Sequence, residues 1–490
     1  MKRKSLKINY ILDTIKIMLG MVFPIITFPY TSRILLPAGI GKVAFAQSII
    51  NYFIMLSAIG VPMYGAVECA KIRDDKDKLS RLTQELFLIN CIAVIVAYIA
   101  FFVLVWVDKK FYAQKELLLL MSTAIIFSTL GLDWFYQALE EYAYITVRSF
   151  VFQLIYVTLI FLLVKSRQDY LIYAGLIVFS SVGANITNFV HTRKYIYFKR
   201  YQNYQLKRHL KPIFIMFFYL FTVNIYTNLN AIMLGYMKGE SSVGFYSAAL
   251  KINKMLLALV ISVGGVLMPR ISYYLHNGEL DKFNALIKKS CNFITMLALP
   301  ISIALLFLAE EIIILFSGES FLPAVSAMRI LAPTTIIIAF GHITGVQILL
   351  PLRKEKLILI SALIGATVSF VLNLKLIPLY AQSGTAVVNL IAEGCVTVTQ
   401  VIFSWQYLKN NLELSSLLKY ICATVLTVLG IILVKLFIGN CLGRLMVSGI
   451  VSVVVYFTAL FLIRDVIILE VVEKFKAVGR KFFQECNFLR

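Results

Sequence analysis

Polar side chains spaced three or four apart inside otherwise apolar stretches carry the chemistry of this chain. Gln47 and Asn51, Asn224 and Asn228, and Asn389 and Glu393 each stand four apart, which puts each pair on one face of a helix. Lys251 and Lys254 stand three apart and share a face in the same way. Arg33 follows Pro29, Lys42 follows Gly41, and Arg148 follows Asp133 at the start of the next apolar stretch. A charge at the centre of a bilayer costs about 2.5–3.5 kcal/mol on insertion scales, so a cation there faces a cavity or a partner. The central set is mostly cationic and suits an anionic cargo. Arginine grips phosphate through paired hydrogen bonds, and lysine supplies a point charge. The amides of Gln47, Asn51, Asn224 and Asn228 fit sugar hydroxyls, and they equally fit hydrogen bonds between helices. Arg148 has a second explanation, an ion pair with Asp133 or Glu140. Glu68, Asp133 and Glu393 are the carboxylates that a coupling proton or sodium ion would use.

The elements that must hold these residues are membrane-spanning helices. Of the 490 residues, 60% are hydrophobic and the mean hydropathy is +0.85, against about 45–50% apolar residues in a soluble domain. The excess lies in long runs, and a bilayer core needs roughly 20 apolar residues per helical span. The runs do not alternate polar and apolar, so they are not the strands of a barrel. The fold class is therefore all-α, a polytopic membrane protein. About fourteen spans are expected, centred near residues 20, 52, 95, 127, 154, 180, 224, 257, 299, 338, 367, 395, 428 and 453.

Loop charge orients them. The net charge is +22, and about 30 basic residues fall on one side of the expected topology against about 9 on the other. Lys71, Arg73, Lys76, Lys78 and Arg81 follow span two, and residues 191–211 carry a second basic run. The C-terminal tail adds Lys474, Lys476, Arg480, Lys481 and Arg490. Both termini are expected to be cytoplasmic, with the apolar stretch after Lys2, Arg3 and Lys4 an uncleaved first span. The charge thus serves topology. No basic-plus-aromatic platform accompanies it, and nucleic acid is not an expected partner. The seven cysteines form no CxxC pair and no Cys/His cluster, so no metal site is expected. There is no GxxxxGK[ST] loop, no HExxH, no GxSxG and no loop long enough for a catalytic domain. The chain does not read as an enzyme.

The polar break at 191–211 divides the chain, and a weak echo crosses it. Span two opens GKVAFAQSI at Gly41 and span eight opens GFYSAALKI at Gly244. Two units of six spans would insert in the same orientation. The expected organisation is a six-helix bundle over 1–200, a second over 201–410, and two further spans with a tail over 411–490. Proline and glycine gather around the first two spans (Pro24, Pro29, Pro37, Gly39, Gly41) and at the ends of spans two and eight, where kinks permit bending.

Several stretches, in order, resemble the polysaccharide repeat-unit flippases, the Wzx-type branch of the multidrug/oligosaccharidyl-lipid/polysaccharide exporter superfamily. They are FPYTSRIL at 28–35, GIG at 39–41, FAQSI at 45–49, LDWFYQALE at 132–140, YSAALK at 246–251 and PRIS at 269–272. The resemblance spans roughly the whole chain and weakens to hydrophobic character in the last third. It implies two six-helix bundles in a V-shaped arrangement plus two C-terminal helices, in a bacterial plasma membrane. It implies a polyprenyl-diphosphate oligosaccharide as cargo, moved from the inner to the outer leaflet by alternating access for capsule, exopolysaccharide or O-antigen synthesis. It implies no cofactor beyond a coupling Na+ or H+, and a polysaccharide polymerase and chain-length regulator as partners. Arg33, Lys42, Lys251 and Lys254 would hold the diphosphate. Three other readings stay open: a peptidoglycan-precursor lipid flippase, a multidrug or cation antiporter of the same superfamily, which needs an acidic cavity, and a non-transporting scaffold of a glycan-synthesis complex.

Overall fold

Backbone amides in hydrocarbon have no water to bond, so long apolar runs satisfy themselves as helices. In the computed structural model, which describes residues 6–470 and residue 473, every regular element is helical. The first part of the chain forms α1 (Leu6–Ala58), α2 (Val61–Lys71), α3 (Lys76–Val107), α4 (Lys109–Ala113), α5 (Lys115–Ser128), α6 (Asp133–Ala138), α7 (Tyr142–Leu163) and α8 (Tyr170–Thr192). Then come α9 (Lys207–Lys238), α10 (Glu240–His276), α11 (Leu280–Phe307), α12 (Ala309–Ser317), α13 (Ala324–Leu331) and α14 (Thr334–Gly341), the last continuing into a π-helical turn (His342–Leu349). The chain ends in α15 (Glu355–Leu408), α16 (Leu414–Phe437) and α17 (Cys441–Leu462). The basic tail residues Lys474, Lys476, Arg480, Lys481 and Arg490 lie outside the described residues.

Two helices are too long to be single spans. At 53 and 54 residues, α1 and α15 would each run about 80 Å if straight, more than twice the hydrocarbon thickness. Both are broken. Leu36 leaves helical geometry at φ 59° directly before Pro37, as expected where a proline ring disfavours the α region for the residue before it. Ala381 leaves it at φ 47°, shortly after Pro378. A Cβ on Gly384 would stand 2.2 Å from the carbonyl oxygen of Leu376, so the chain doubles back there. Among the described residues ten helices are long and apolar enough to cross a membrane, or eleven if the bent pair Ala324–Leu331 and Thr334–Leu349 is one span; with α1 and α15 each divided at its break and α9 added, this is consistent with the fourteen expected.

The chain divides into two compact units. The first is the chain through Ser247, with Phe316–Phe321 and Phe370–Thr385; the second is Ala248–Leu315, Leu322–Ser369 and the chain from Ala386. In the first, α1 packs against α3, α5, α7, α8 and α9. Its core includes Val61, Leu79, Leu86, Trp134, Phe135, Tyr136 and Ile213. Gly65 lets Trp134 lie flat on α2, because a Cβ there would come 2.6 Å from the indole. In the second, α11 packs against α13, α14 and α16, and α16 against α17. Leu257, Phe283, Ile287, Ile294 and Ile343 form one core, and Met296, Tyr420 and Tyr456 another. Both units turn apolar side chains outward: Ile92, Ile95, Ile99 and Val103 on α3, and Leu433, Leu436, Ile450 and Val453 on α16 and α17 are exposed. Such continuous apolar surface belongs in lipid rather than water.

Candidate functional site

In the first unit the amides form a chain. Gln47 Nε2 donates to Asn51 Oδ1 at 2.9 Å, and Asn51 Nδ2 donates to Asn228 Oδ1 at 3.3 Å. The pair on one face of α1 thus meets and reaches across to α9. Asn224 lies outside the residues whose side chains are described. A second amide group went unread in the sequence. Buried Asn230 accepts from Asn373 Nδ2 at 2.7 Å and donates to Tyr246 Oη at 3.4 Å. Asn230 and Asn373 sit 143 residues apart, and nothing in local spacing links them.

Gln47, Asp133 and Arg148 line one cavity of about 370 Å³, with Gln153, Ser181 and Asn185. Arg148 is buried there. Its Nη2 donates to Asp133 Oδ1 at 3.1 Å and its Nη1 to the carbonyl of Ala184 at 3.2 Å. Asp133 also accepts from Asn188 Nδ2 at 2.7 Å. Of the two ion pairs left open for Arg148, the structure forms the one with Asp133; Glu140 takes Arg73 at 2.6 Å. Two candidate residues of opposite role therefore lie in one ion pair. The guanidinium read as a grip for cargo and the carboxylate read as an ion ligand are each other's partner.

Other candidates sit at the unit's two ends. Glu68, read among the intramembrane charges, is in the last turn of α2, bridged to Lys71 at 2.6 Å next to the loop that follows. At the opposite end Lys42 is half-buried, with its Nζ 4.8 Å from the centre of the Tyr170 ring. Arg33 is exposed, and its Nη1 donates to the Pro29 carbonyl at 2.7 Å. Beside Lys42 lies a backbone seam. A Cβ on Gly41 would come 1.7 Å from the Glu240 carbonyl oxygen, and one on Gly244 2.0 Å from the Pro37 carbonyl oxygen. The two glycines of the sequence echo therefore lie at one contact, where only glycine permits backbone to touch backbone.

In the second unit α10 carries the lysines. Asn253, fully buried, fixes the helix: its Nδ2 donates to the Leu331 carbonyl at 3.0 Å and Thr335 Oγ1 at 3.2 Å, and its Oδ1 accepts from Thr334 at 3.3 Å. Lys251 is half-buried and Lys254 is exposed, on a helix whose first residue is Glu240. Glu393, on the second half of α15, lies close enough to Lys254 to interact with it electrostatically. Lys254 and Glu393 are thus brought together, a pairing across 139 positions that the sequence reading held as two separate candidates.

Three further clusters escaped the sequence reading. Buried Glu85 on α3 accepts from Arg81 Nε at 3.1 Å, Arg208 Nη2 at 2.8 Å and the backbone N–H of Gln205 at 2.8 Å, and its Oε2 lies 2.9 Å from His209 Nε2. It clasps the residues after α8 onto the bundle. Lys435 on α16 meets buried Glu311 at 2.8 Å. Glu413, at the N-terminus of α16, meets Lys288 at 2.6 Å and accepts from Asn292 at 2.8 Å. The Lys288 ammonium, helped by Asn292, holds the Glu413 carboxyl down to about 2. Apart from Arg81, one helical turn before Glu85, these partners are far apart in sequence.

Comparison with known proteins agrees with this architecture. The family model described as "Polysaccharide biosynthesis protein" matches residues 7–275, more than half of the chain, and one described as MatE matches residues 212–375. The protein named "Putative O-antigen transporter" of Escherichia coli (strain K12) is 24% identical over 393 residues, spanning 80% of this chain and 93% of its own. A protein of the same name from Shigella dysenteriae is 24% identical over 388 residues, spanning 77% and 94%. Among solved structures, "Lipid II flippase MurJ, inward closed conformation" superposes with a TM-score of 0.75 at 16% identity, covering 94% of this chain and 99% of that one. An inward-facing multidrug resistance MATE family transporter superposes at 0.63 with 11% identity, covering 82% and 98%. At such identity the likeness is one of fold.

Proposed function

The chain belongs to the polysaccharide biosynthesis protein family, and from that premise we propose that it is a flippase for a lipid-linked oligosaccharide. Its cargo is a polyprenyl-diphosphate-linked repeat unit, carried from the inner to the outer leaflet of a bacterial plasma membrane by alternating access. The observation that supports this most is the pair Lys251 and Lys254. They lie 11 and 14 residues past the start of α10, about 16–21 Å along the helix at 1.5 Å per residue. Cations at that depth are too far in for easy snorkelling, and each is costly to insert. An anionic group that visits them would join Glu393 in meeting their charge.

The chemistry follows from solvation. A diphosphate and its sugars cannot cross hydrocarbon bare, because each polar group would lose its water without a replacement. Lysine ammonium groups replace water on the phosphate oxygens through charge-assisted hydrogen bonds. The amides of Gln47, Asn51 and Asn228 hold one another and offer further donors and acceptors to hydroxyls. The lipid tail stays in the bilayer. Alternating access needs a seal that opens, and we assign the Gly41–Gly244 seam to it, since a contact made of backbone alone has no interlocked side chains to disengage. Glu393 beside Lys254 is the carboxylate we assign to a coupling Na+ or H+, because an ion arriving there competes with the lysine for it. The basic loops after α2 and α8 support a topology with both termini cytoplasmic. A polymerase that consumes the outer-leaflet product would be its working partner.

Reconstitution tests the proposal. Purified protein in liposomes, given a labelled lipid-diphosphate oligosaccharide, should bring headgroup to the far leaflet faster than protein-free liposomes, and faster still under a sodium or proton gradient. No movement of any lipid-diphosphate glycan, with movement of a cationic drug instead, would replace this reading by the antiporter one. The fold neighbour at TM-score 0.75 makes a peptidoglycan-precursor lipid the informative competitor: if it alone is moved, the headgroup assigned here is wrong.

A further inference from the structure

We propose that the cavity at the Lys42 end of the first unit binds an acidic saccharide, a sugar ring bearing a carboxylate or a phosphate. The cavity measures about 460 Å³, within the roughly 300–1,000 Å³ of small-molecule sites. Its walls come from the start of the second half of α1, the stretch from α4 into α5, the first residue of α8, and the junction of α9 with α10. Three lysines line it, and each rests on a tyrosine ring. Lys42 Nζ stands 4.8 Å from the Tyr170 centroid, Lys110 Nζ 4.4 Å from Tyr236, and Lys115 Nζ 4.4 Å from Tyr112.

How these charges are held decides what they are for. None of the three lysines forms an ion pair within 4 Å among the described residues, although Asp108, outside the lining, accepts from the Tyr236 hydroxyl at 3.1 Å and lies near enough to Lys110 to interact with it electrostatically. Lys110 donates to the Tyr236 carbonyl at 2.5 Å and Lys115 to Tyr112 Oη at 3.2 Å. A π face and a neutral oxygen position an ammonium without cancelling it. Two carboxylates, Glu116 and Glu240, also line the cavity, and Glu240 already accepts from Gln114 Nε2 at 2.9 Å. Three cations against two anions leave an excess of positive charge. Elsewhere in the same unit the buried cation Arg148 is paired with a carboxylate, while Lys76 rests on the Tyr197 ring at 4.3 Å much as these lysines rest on theirs.

The rest of the lining fits a sugar. Tyr170 and Tyr236 offer flat rings with polar tips, surfaces suited to a ligand with one apolar and one wet face. The Gln114–Glu240 pair offers a donor and an acceptor for ring hydroxyls. The positive excess selects a ring that carries an anion. The cavity also adjoins the Gly41–Glu240 seam, so a headgroup emerging there would meet Lys42 first. The inference takes its source of ligand from the flippase reading, but its test uses soluble sugars and is scored apart from transport.

The test is calorimetric titration of the purified full-length chain in nanodiscs of neutral phosphatidylcholine. The probes are a uronic-acid disaccharide and the same disaccharide with its carboxyl reduced to an alcohol. The acidic form should bind about tenfold tighter, the value of a charged hydrogen bond or two, and the advantage should shrink with added salt. Lys42→Gln with Lys110→Gln should abolish the preference, while Lys42→Arg with Lys110→Arg keeps it, each with the wild-type melting temperature. Equal affinity for the two sugars, no binding of either, or a preference unchanged in the glutamine variant would overturn the proposal. So would loss of sugar binding when phosphatidylglycerol is added to the nanodisc, since the cavity would then take a lipid phosphate. Acidic-sugar preference in a chain that flips nothing would instead sink the flippase reading and leave this one standing.

Discussion

Four arginines of the first unit and the two lysines on α10 in the second are held on different terms. In the first, Arg148 is tied to Asp133, Arg73 to Glu140, and Arg81 and Arg208 to the buried Glu85. In the second, Lys254 is exposed at depth with Glu393 nearby, on a helix whose buried face is fixed by the uncharged Asn253. Breaking a buried ion pair strands a charge and destabilises the fold, whereas an accessible cation contributes little to stability. On the function proposed above, the difference is one between charges that hold the bundle and charges placed to meet a cargo.

Variants can break this contrast, beginning with the largest expected effect. Lys251→Ala with Lys254→Ala should cut the initial rate of flipping on the order of a hundredfold, as two charge-assisted bonds are lost, with little change in melting temperature. Glu85→Ala should do the reverse. It leaves Arg81 and Arg208 facing a void, and unfolding of the purified protein should show a loss toward the lower end of about 3–5 kcal/mol, because Arg208 is half exposed. Gly244→Ala drives a Cβ into the Pro37 carbonyl and should cost about 1–3 kcal/mol by overpacking. In a leaflet-accessibility assay the same variant should expose a thiol introduced at Ala38 more than wild type does, and unchanged accessibility would remove the seam from the account.

The smallest effect is a pH dependence in the second unit. Lys288, and after it Asn292, hold the Glu413 carboxyl below its ordinary 4.5, at about 2. A depressed carboxylate stabilises the folded state above its unfolded value and loses that contribution as pH falls through the folded one. The melting temperature of wild type should therefore exceed that of Glu413→Gln near neutral pH, and the gap should close between about pH 4.5 and 2. A gap that persists at the acid end would mean the carboxylate's charge is not what matters there.

What was legible in the sequence depended on distance along the chain. Spans were readable because each is a continuous apolar run, and even the breaks in α1 and α15 fall close to Pro37 and Pro378. Gln47 and Asn51 were readable as one face, and they do bond. For Arg148 the sequence leaves a cargo site and an ion pair with Asp133 or Glu140 equally open, and the pair that forms is with Asp133, 15 residues away. Glu85 was not, since its backbone donor is 120 residues on and its environment is made by the stretch after α8. Asn230 and Asn373 were passed over because a lone amide in a span looks like any other. The echo at Gly41 and Gly244 looked like chance, and became informative once the two glycines proved to share a contact.

The most direct test of the central claim compares wild type with Lys251→Ala/Lys254→Ala in proteoliposomes at equal protein incorporation, following a labelled lipid-diphosphate oligosaccharide to the far leaflet. The account predicts that wild type delivers headgroup and that the folded double variant does not, with Lys251→Arg/Lys254→Arg recovering part of the rate. Equal delivery by wild type and the double alanine variant would contradict it, because the diphosphate would then cross without the α10 lysines.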